Sequence, residues 1–466
     1  MQDNHSKNVD STSNEAPNDK TAPKTKSKTH KHRADKHIWG IYIALCIISI
    51  VELYSASSRE IAYSTTMGVY EPIVRHISTL LLGFVVILVM QRIHFKHYFK
   101  LSRTFVVLSV IMMVYVLING DIINGARRSF TLFGFMVQPS EFLKLSAVLL
   151  IAYVMSQYQI NKGISTKGVV ICGVSIIVFC GLLFNQGLTN TILLLAVSMS
   201  MMFVGGVELK KFFLMILCYI VAGAGAFAYK YMASENETEA VEASTTTVQI
   251  AGENGPKEIE IKSADKGEKE AGGRFETWIK RIERYANDSI PKYKHPITAE
   301  NRQEMYSYMA QANGGLFGVF PGNSRETARL PLANIDYIYA IIIEDMGYIG
   351  GMFVLFLYLW LLARAGAIAT RCRGAFPALL VMGPAVMISF QALFHMAIVT
   401  GVFPVSGQPL PLISKGGSSI IITSIAFGLM LSVSKHAVRT SGKKKDFKAE
   451  IEQLPEGARG DNPIQI

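Results

Sequence analysis

Residues 337–361 read YIYAIIIEDMGYIGGMFVLFLYLWL, an apolar run that carries two acids, Glu344 and Asp345, and no basic residue. A bilayer core of ~30 Å needs ~20 mostly apolar residues in one helix, so this stretch is long enough to cross a membrane. Acidic side chains inside a span usually face a polar cavity or a partner. The stretch therefore predicts a transmembrane helix with a functional polar face.

Nine further apolar stretches follow the same pattern, with the charged residues concentrated between them. Hydrophobic residues make up 50% of the 466-residue chain, and the mean hydropathy is +0.30. We therefore expect an all-α polytopic membrane protein with ten transmembrane helices. The ten predicted spans are 38–54, 73–90, 103–119, 140–156, 169–184, 188–205, 212–230, 337–361, 376–399 and 417–434.

Lysine and arginine are concentrated in one set of loops, and the positive-inside rule places these loops and both termini in the cytoplasm. The net charge of +11 is then a signal of topology. Because the basic runs are interrupted and flank membrane spans, we expect no nucleic-acid partner. The basic residues of these loops include Arg92, Lys96, Lys100, Arg103, Lys162, Lys167, Lys210, Lys211, Arg364, Arg371 and Arg373.

The chain divides into a polar N-terminal tail (1–37), a membrane domain (38–436) and a C-terminal tail (437–466), and both tails are expected to be disordered. A large outer loop, 231–336, separates spans seven and eight; loops of this length are usually functional or disordered. Its acidic, Thr- and Gly-rich part, 234–272, is predicted to be a disordered insert. Residues after Gly273 instead show the three- and four-residue spacing of an amphipathic helix.

Two motifs, NGARRS at 124–129 and QPSEFLK at 138–144, bring charge to the start of span four. Pro139 marks a helix start, where the anionic Glu141 is favoured. Glu141 and Lys144 lie three residues apart and can form an ion pair. Two interpretations stay open: a loop anchored by this pair, or a cationic site for a phosphorylated lipid head group, to which guanidinium is well suited. The residues of such a site would be Arg127, Arg128, Glu141 and Lys144.

The segment that begins at Asn313 is rich in glycine, which implies tight turns or close backbone approach, and it ends at the outer mouth of span eight. Asp336, at this mouth, is either an acid that caps the helix and complements its dipole, or a functional carboxylate. On a continuous helix, Asp336 and Glu344 would lie ~80° apart and could border one cavity. Glu344 and Asp345 are therefore secondary candidates, and Arg329 adds positive charge nearby.

The segment FPVSGQPLPLISKGGSS, residues 403–419, contains three prolines that exclude a regular helix, although it is apolar enough to lie at membrane depth. Irregular backbone at that depth is tolerated only where it is buried in protein or lines a cavity. The segment is either a re-entrant loop that caps the bundle or an anion site, because exposed amides open the following helix. The candidate residues of the anion site are Lys415, Ser418 and Ser419.

Taken together and in this order, these motifs resemble the SEDS family (FtsW/RodA/SpoVE), polytopic glycosyltransferases that polymerise lipid II into peptidoglycan. The resemblance covers about residues 38–436 and leaves out the tails and the insert. The stretches FPVSGQPLPLIS and GNS are more similar to division-type members, especially from the Bacteroidetes group, than to elongation-type members. The motifs are NGARR at 124–128, QPSEFLK at 138–144, ANGGLFG at 312–318, DYIYAIIIEDMG at 336–347 and PLPLISKGGSS at 409–419.

The resemblance implies that Asp336 is the catalytic acid, because it matches the family's essential acid in the large outer loop. It also implies a lipid II polymerase of septal cell-wall synthesis in the bacterial inner membrane, at the division septum. Its expected partners are a class B penicillin-binding protein, which is a transpeptidase, other division proteins and membrane lipids. The groups that would neutralise the departing lipid diphosphate are Arg127, Arg128, Lys144, Arg329 and Lys415.

The five cysteines include no C-x-x-C pair, which argues against a disulfide frame or a zinc site, and the sequence identifies no certain cofactor or metal site. A divalent cation, Mg²⁺ or Mn²⁺, bound together with the lipid diphosphate is left open. Three alternative functions also stay open: an elongation-type polymerase, a flippase for the same lipid, and a division scaffold without catalysis. Polymerisation of lipid II by the purified protein with its partner would separate the polymerase from the last two.

Overall fold

The computed structural model describes residues 34–56, 71–123, 126–132, 135–160, 163–184, 186–243, 247–252, 255–260, 274–286, 294–298, 301–330, 333–436 and 461–464. Most of both predicted tails lies outside these ranges. Within them the chain is mostly helical, as expected for an all-α membrane protein.

Each of the ten predicted spans coincides with a helix. Among the described residues, eight helices are long and apolar enough to cross a membrane: α1 to α5 and α10 to α12 in the numbering below. Helix α6, with 17 residues, is shorter, and α7 continues well beyond its apolar part. The helices are α1 Lys36–Ala56, α2 Glu71–Met90, α3 Phe95–Asn119, α4 Pro139–Gln157, α5 Thr166–Phe184, α6 Leu188–Val204, α7 Leu209–Ala243, α8 Arg274–Ala286, α9 Arg302–Gly314, α10 Ile338–Ala369, α11 Ala375–Val399 and α12 Gly417–His436.

Helices α4, α11 and α12 form the centre of the bundle, because they are buried along most of their length, whereas α2 and α3 are largely exposed. Helix α11 packs against α4, α6, α10 and α12. Exposed apolar side chains on the outer helices, such as Leu81 and Ile111, match a surface that faces lipid. The central helices carry the polar residues described below, so these residues lie inside protein.

The large loop between α7 and α10 contains two helices of the described structure, α8 and α9, and α8 lies where the sequence predicts an amphipathic helix. Helix α9 ends at the Gly314-Gly315 pair, and Gly315 adopts a positive φ of 50°. The chain then runs against a break in α10 at Gly347, whose φ is 71°. Backbone bonds join the two segments, from Val319 N to Glu344 O and from Tyr348 N to Gly315 O, both 2.9 Å.

Glycine is required at this junction. A Cβ at Gly318 would collide with the backbone carbonyl of Asp345, and one at Gly347 would collide with that of Leu316. The glycine-rich motif therefore serves close backbone approach, as predicted.

Seven short strands occur in the described structure, although the sequence analysis predicts only helices. The outer loop before α4 folds as an antiparallel sheet in the order β1-β2-β3, and this sheet carries the NGARR motif. The strands are β1 Asp121–Ile123, β2 Ala126–Leu132, β3 Phe135–Val137, β4 Gln159–Ile160, β5 Gly163–Ile164, β6 Thr247–Gly252 and β7 Gly255–Glu260.

The predicted disordered insert, 234–272, differs from the structure where it is described. Helix α7 continues to Ala243, and residues 247–260 form the hairpin β6–β7. The physical reason lies in the sequence, where Val248 and Ile250 alternate with the polar residues Thr247 and Gln249, a pattern typical of a strand. The remainder of the insert lies outside the described residues.

The proline-rich segment 403–416 has no helix or strand, as predicted, and passes between buried elements. Leu410, Leu412 and Ile413 are each 1% exposed, and the Tyr358 hydroxyl of α10 donates to Pro411 O at 2.6 Å. The part of the segment from Gln408 to Ser414 is thus mostly buried in protein, which is the condition for irregular backbone at membrane depth, whereas Phe403 and Gly407 are exposed.

The short stretch 461–464 of the C-terminal tail is also described. The Asn462 amide donates to Ala369 O and Cys372 O, at 2.8 and 3.0 Å, at the end of α10. Part of the tail that was expected to be disordered therefore has a defined contact with the bundle.

Candidate functional site

Asp336 lies two residues before the start of α10, outside the apolar helix, and is partly buried. The residue at the N-cap position is Tyr337, which makes no side-chain capping bond, so Asp336 does not cap this helix. The predicted geometry of Asp336 and Glu344 on one continuous helix is therefore wrong, because the helix begins after Asp336. Among the described residues the Asp336 carboxylate accepts no hydrogen bond.

The carboxylate of Asp336 lies next to Gly407 of the proline-rich segment. A Cβ placed at Gly407 would lie 3.1 Å from Oδ2 and 3.3 Å from Oδ1 of Asp336, so a side chain at this position would require the carboxylate to shift by a few tenths of an ångström. Burial raises the pKa of Asp336 to about 6, although two nearby arginines act in the opposite direction. A carboxyl with such a pKa is suited to accept a proton near neutral pH.

The two arginines are Arg128 of β2 and Arg281 of α8, and both act electrostatically on Asp336. Burial lowers the pKa of Arg128, which the charge of Asp336 partly offsets. The Arg281 guanidinium donates to Val405 O at 3.1 Å, which joins α8 to the proline-rich segment. Arg281 was not among the predicted site residues; its signal in the sequence was its place on the predicted amphipathic helix of the large loop between α7 and α10.

The proline-rich segment is bonded directly to the residues that precede Asp336. The Lys415 amide donates to Asn334 O at 2.8 Å, and the Ser414 hydroxyl donates to Ile335 O at 2.7 Å. The two motifs that the sequence analysis treated separately therefore form one structural unit around Asp336.

Several buried polar atoms near Asp336 have no hydrogen-bond partner among the described residues. An unpaired buried polar group costs about 1–3 kcal/mol, so such atoms mark a place where a polar ligand would bind. Three of them flank Asp336 or its glycine contact along the chain: Tyr337 Oη, Ser406 Oγ and Gln408 Oε1. The full set at this site is Arg128 Nε, Tyr337 Oη, His395 Nε2, Ser406 Oγ and Gln408 Oε1.

A cleft open to solvent lies beside these groups and has an empty volume of about 770 Å³ including its mouth. Arg281 and Tyr285 of α8 form one wall, and Tyr337 and Val405 contribute another. The cleft is therefore lined by the same helix and the same segments that surround Asp336.

Glu141 and Lys144 form the predicted ion pair, with 2.7 Å between Lys144 Nζ and Glu141 Oε1. Lys144 is 1% exposed and also donates to Gln391 Oε1 at 3.2 Å. The Gln391 amide in turn donates to Pro409 O at 3.3 Å. The pair thus belongs to a buried network that reaches the proline-rich segment, and the anchoring interpretation describes Lys144 better than an exposed anion site does.

The other predicted cations lie apart from one another. Arg127 is exposed and donates to the carbonyls of Leu117 and Ile118 at the end of α3. Arg329 is exposed and pairs with Glu326 at 3.4 Å. Of the five arginines and lysines predicted to meet the diphosphate, the structure brings Arg128 within electrostatic range of Asp336.

Lys415, Ser418 and Ser419 lie at the start of α12, as predicted. Lys415 is partly buried. The Ser418 hydroxyl accepts a hydrogen bond from the backbone N–H of Gln138 at 3.2 Å. This bond ties the start of α12 to the start of α4, so the two predicted helix N-termini are neighbours.

Glu344 and Asp345, the secondary candidates, face other partners. The Glu344 carboxylate accepts hydrogen bonds from the Ser324 hydroxyl at 2.5 Å and the Arg325 amide at 3.1 Å, with further donors from Asn313 and the Glu326 amide. It therefore anchors the loop after α9. Asp345 lies beside α1, within electrostatic range of Glu52.

The described residues contain no group of three or more His, Cys, Asp or Glu side chains that would hold a metal ion. Asp336 is a single carboxylate flanked by two guanidinium groups, which disfavour a second positive charge. The side chains present therefore do not fit a dedicated divalent-metal site of the kind built from several carboxylates.

Comparison with known proteins gives a match to the model of the FtsW/RodA/SpoVE family, described as a cell cycle protein, over residues 35–242 and 274–439. The unmatched interval includes the hairpin β6–β7. A protein of Trichlorobacter lovleyi named probable peptidoglycan glycosyltransferase FtsW is 29% identical over 396 residues, covering 84% of this chain and 91% of the relative. Stage V sporulation protein E of Bacillus subtilis is 26% identical over 413 residues, covering 88% and 99%.

Two solved structures share the fold. A chain from work on the structural coordination of polymerization and crosslinking by a peptidoglycan synthase complex aligns with a TM-score of 0.60 and 21% identity, covering 86% of this chain and 97% of that one. The rod shape determining protein RodA of Thermus thermophilus aligns with a TM-score of 0.54 and 22% identity, covering 87% and 98%.

Proposed function

Because the chain belongs to the FtsW/RodA/SpoVE family, which is the SEDS family, we propose that it is a division-type peptidoglycan glycosyltransferase that polymerises lipid II. The observation that supports Asp336 as the site of this activity is its environment. The carboxylate is partly buried beside two arginines, a cleft and buried polar atoms without partners. The named relatives favour this function over an elongation-type polymerase.

Chain growth joins the 4-hydroxyl of an acceptor sugar to the anomeric carbon of a donor whose leaving group is a lipid diphosphate. Asp336 accepts the hydroxyl proton as the new carbon–oxygen bond forms and the bond to the diphosphate breaks. Its pKa of about 6 leaves it mostly ionised at neutral pH, yet basic enough for this role. Arg128 and Arg281 carry the positive charge nearest Asp336 and stabilise the negative charge that develops on the diphosphate.

The remaining predicted substrate residues act at a distance from this centre. Arg329, Lys415, Ser418 and Ser419 are proposed to contact the outer parts of the lipid-linked substrate. The pair Glu141–Lys144 supports the proline-rich segment through Gln391. A divalent cation, Mg²⁺ or Mn²⁺, would enter with the diphosphate of the substrate rather than occupy a site built by the protein.

The proposed partner is a class B penicillin-binding protein, a single-span transpeptidase that cross-links the new strand, together with other division proteins. The support is the structural similarity to a chain of a peptidoglycan synthase complex. The decisive assay combines the purified protein, its cognate transpeptidase and lipid II, and measures glycan polymer. Absence of polymer under conditions where the partner is bound would favour a flippase or a scaffold.

The chain is a multi-pass membrane protein, and we propose that it lies in the bacterial inner membrane at the division septum with both termini in the cytoplasm. The support is the distribution of lysine and arginine in the loops. In a cysteine-free background, Ile250→Cys should react with a membrane-impermeant thiol reagent in intact spheroplasts. Lys20→Cys should react only after lysis, and the opposite labelling would overturn the topology.

A further inference from the structure

The position of Gly407 decides where the Asp336 carboxylate can lie. A Cβ at residue 407 would be 3.1 and 3.3 Å from the two carboxylate oxygens, so Gly407 lies next to the Asp336 carboxylate with little space between them. A shift of this backbone by a few tenths of an ångström would displace the carboxylate or admit water beside it. Whatever holds residues 406–408 therefore controls the geometry of the proposed base.

The side chains of this short stretch do not hold it in place. Ser406 Oγ and Gln408 Oε1 are buried and have no hydrogen-bond partner among the described residues. The stretch is held from outside by α11, through His395, whose Nδ1 is 2.5 Å from Gln408 O. Since a carbonyl oxygen only accepts, Nδ1 carries the proton and donates it.

One turn earlier on the same face of α11, Gln391 holds the next residue by donating to Pro409 O at 3.3 Å. Gln391 is part of the buried network with Lys144 and Glu141. His395 is 1% exposed and has no such second partner, because its Nε2 makes no hydrogen bond among the described residues. Its single contact with the segment is the one adjacent to Gly407.

We propose that His395 is a positioning residue for Asp336, which it places by holding the backbone of Gln408 and hence of Gly407. This proposal rests on the proposed function for its kinetic test, but the contact itself is independent of the reaction. The imidazole does not need to touch substrate. It acts by keeping the glycine backbone tight against the carboxylate.

The pKa of Asp336 can be measured to test this role of His395, because a His395 that only stabilised the fold would not change that pKa. Burial raises this pKa to about 6, and the groups that face the carboxylate with charge are Arg128 of β2 and Arg281 of α8. If the Gly407 backbone moves away, water reaches the carboxylate and its pKa falls towards the ordinary range for aspartate. Loss of the His395 contact should therefore move the titration of a residue on a different element.

The test compares His395→Leu, which removes the donor, with His395→Asn, whose amide can present an N–H near the position of Nδ1. The matched control is Ser389→Ala, which removes a buried hydrogen bond on the same helix, from Ser389 Oγ to Tyr358 O at 3.0 Å, without touching the segment. Protonation of Asp336 is followed by labelling with a hydrophobic carbodiimide as a function of pH, with the modified peptide measured by mass spectrometry. Polymerisation of lipid II with the cognate partner gives kcat and KM.

For His395→Leu we expect a labelling midpoint below that of the parent and a kcat at least ~10-fold lower at similar KM, since small misplacement of a reacting group is costly. His395→Asn should restore both within about three-fold, and Ser389→Ala should leave both unchanged. An unchanged midpoint in His395→Leu, or equal defects in the Leu and Asn variants, would overturn the proposal. Because labelling needs no turnover, an inactive parent protein would refute the proposed function while still deciding the role of His395.

Discussion

Asp336 and Glu344 are two acids at the outer end of α10, eight positions apart in the sequence, and their surroundings are opposite. Glu344 is fully buried and its carboxylate accepts hydrogen bonds from Asn313 of α9 and from three donors of the loop that follows α9. Asp336 is partly buried, accepts none from the described residues and has two arginines within electrostatic range. A carboxylate whose bonds are all satisfied serves the fold, whereas one left with charge partners and open space is available for chemistry.

The substitution with the largest expected effect is Asp336→Asn, which keeps the shape but removes the negative charge. Loss of a general base typically lowers the rate by ~10²–10⁴-fold. The variant should accumulate in the membrane and bind its transpeptidase like the parent, yet form no polymer from lipid II. The matched control is Glu344→Gln, which should lower the thermal stability while polymerisation stays within a few-fold. If the Asn variant polymerised normally and the Gln variant did not, the two acids would exchange roles.

The next largest effect is expected for Lys144, which resembles Glu344 because its partners lie in a buried network. Lys144→Ala would leave the buried Glu141 without its cation, which costs about 3–5 kcal/mol, so we expect the protein to accumulate poorly. Combined replacement, Glu141→Gln with Lys144→Met, removes both charges and should restore accumulation. The amount of each variant in the membrane and its unfolding temperature measure accumulation and stability. A stable Lys144→Ala protein that only fails to use lipid II would return Lys144 to the substrate site.

A smaller effect is expected for Gly407→Ala. The added methyl would lie about 3.1 Å from Asp336 Oδ2, so the carboxylate must shift by a few tenths of an ångström. We expect a ~10-fold decrease in kcat with an unchanged unfolding temperature. Gly181→Ala, on α5 where a Cβ meets no atom within 4 Å, is the matched control and should be neutral. Full activity of Gly407→Ala would show that the proline-rich segment does not determine the position of the Asp336 carboxylate.

The pH dependence sharpens the same comparison. Asp336 must be ionised to accept a proton, and its pKa is raised to about 6, so kcat should be constant above this value and fall as the pH drops through it. Arg281 lowers this pKa, so Arg281→Ala should move the acidic limb to higher pH, whereas Arg281→Lys should leave it nearly in place. If the decrease of kcat at low pH occurred at the same pH in Arg281→Ala as in the parent, a group other than Asp336 would be responsible for it.

The smallest effect is expected for the insert. Deleting residues 244–272 and joining α7 to α8 by a short flexible linker should retain polymerisation, since the family match omits this interval and the described groups around Asp336 all lie outside it. Polymer length and rate, compared with the parent at equal membrane amounts, measure this. Complete loss of polymer in a normally inserted deletion would give the insert a part in gating or catalysis.

The sequence predicted the helices well because apolar length is a local property. Each of the ten predicted spans coincides with a helix, and the amphipathic helix after Gly273 was also found. The prolines of segment 403–411 correctly excluded a helix there. The strands around the NGARR motif and the hairpin β6–β7 were missed, since pairing depends on register between neighbouring segments and local composition reports it weakly.

The site was predicted in part. Asp336 was chosen by resemblance, and the Glu141–Lys144 pair by helical spacing, which the structure confirms as a contact. The shared cavity of Asp336 and Glu344 was inferred for a continuous helix, and the helix starts later. Gly407 and His395 could not be found, because their relation to Asp336 joins segments far apart in the chain. For Arg281 the amphipathic spacing predicted the helix, but not its electrostatic interaction with Asp336.

The sequence by itself determined that this is a membrane protein, where its helices run, and which motifs carry charge at the ends of the predicted spans. Those properties follow from composition and spacing within one segment, and transfer of apolar residues out of water enforces them. Only the tertiary structure decided which charges serve the fold and which face open space. That division depends on which donors each buried carboxylate meets, and such meetings are set by the packing of α4, α10 and α11 around the proline-rich segment.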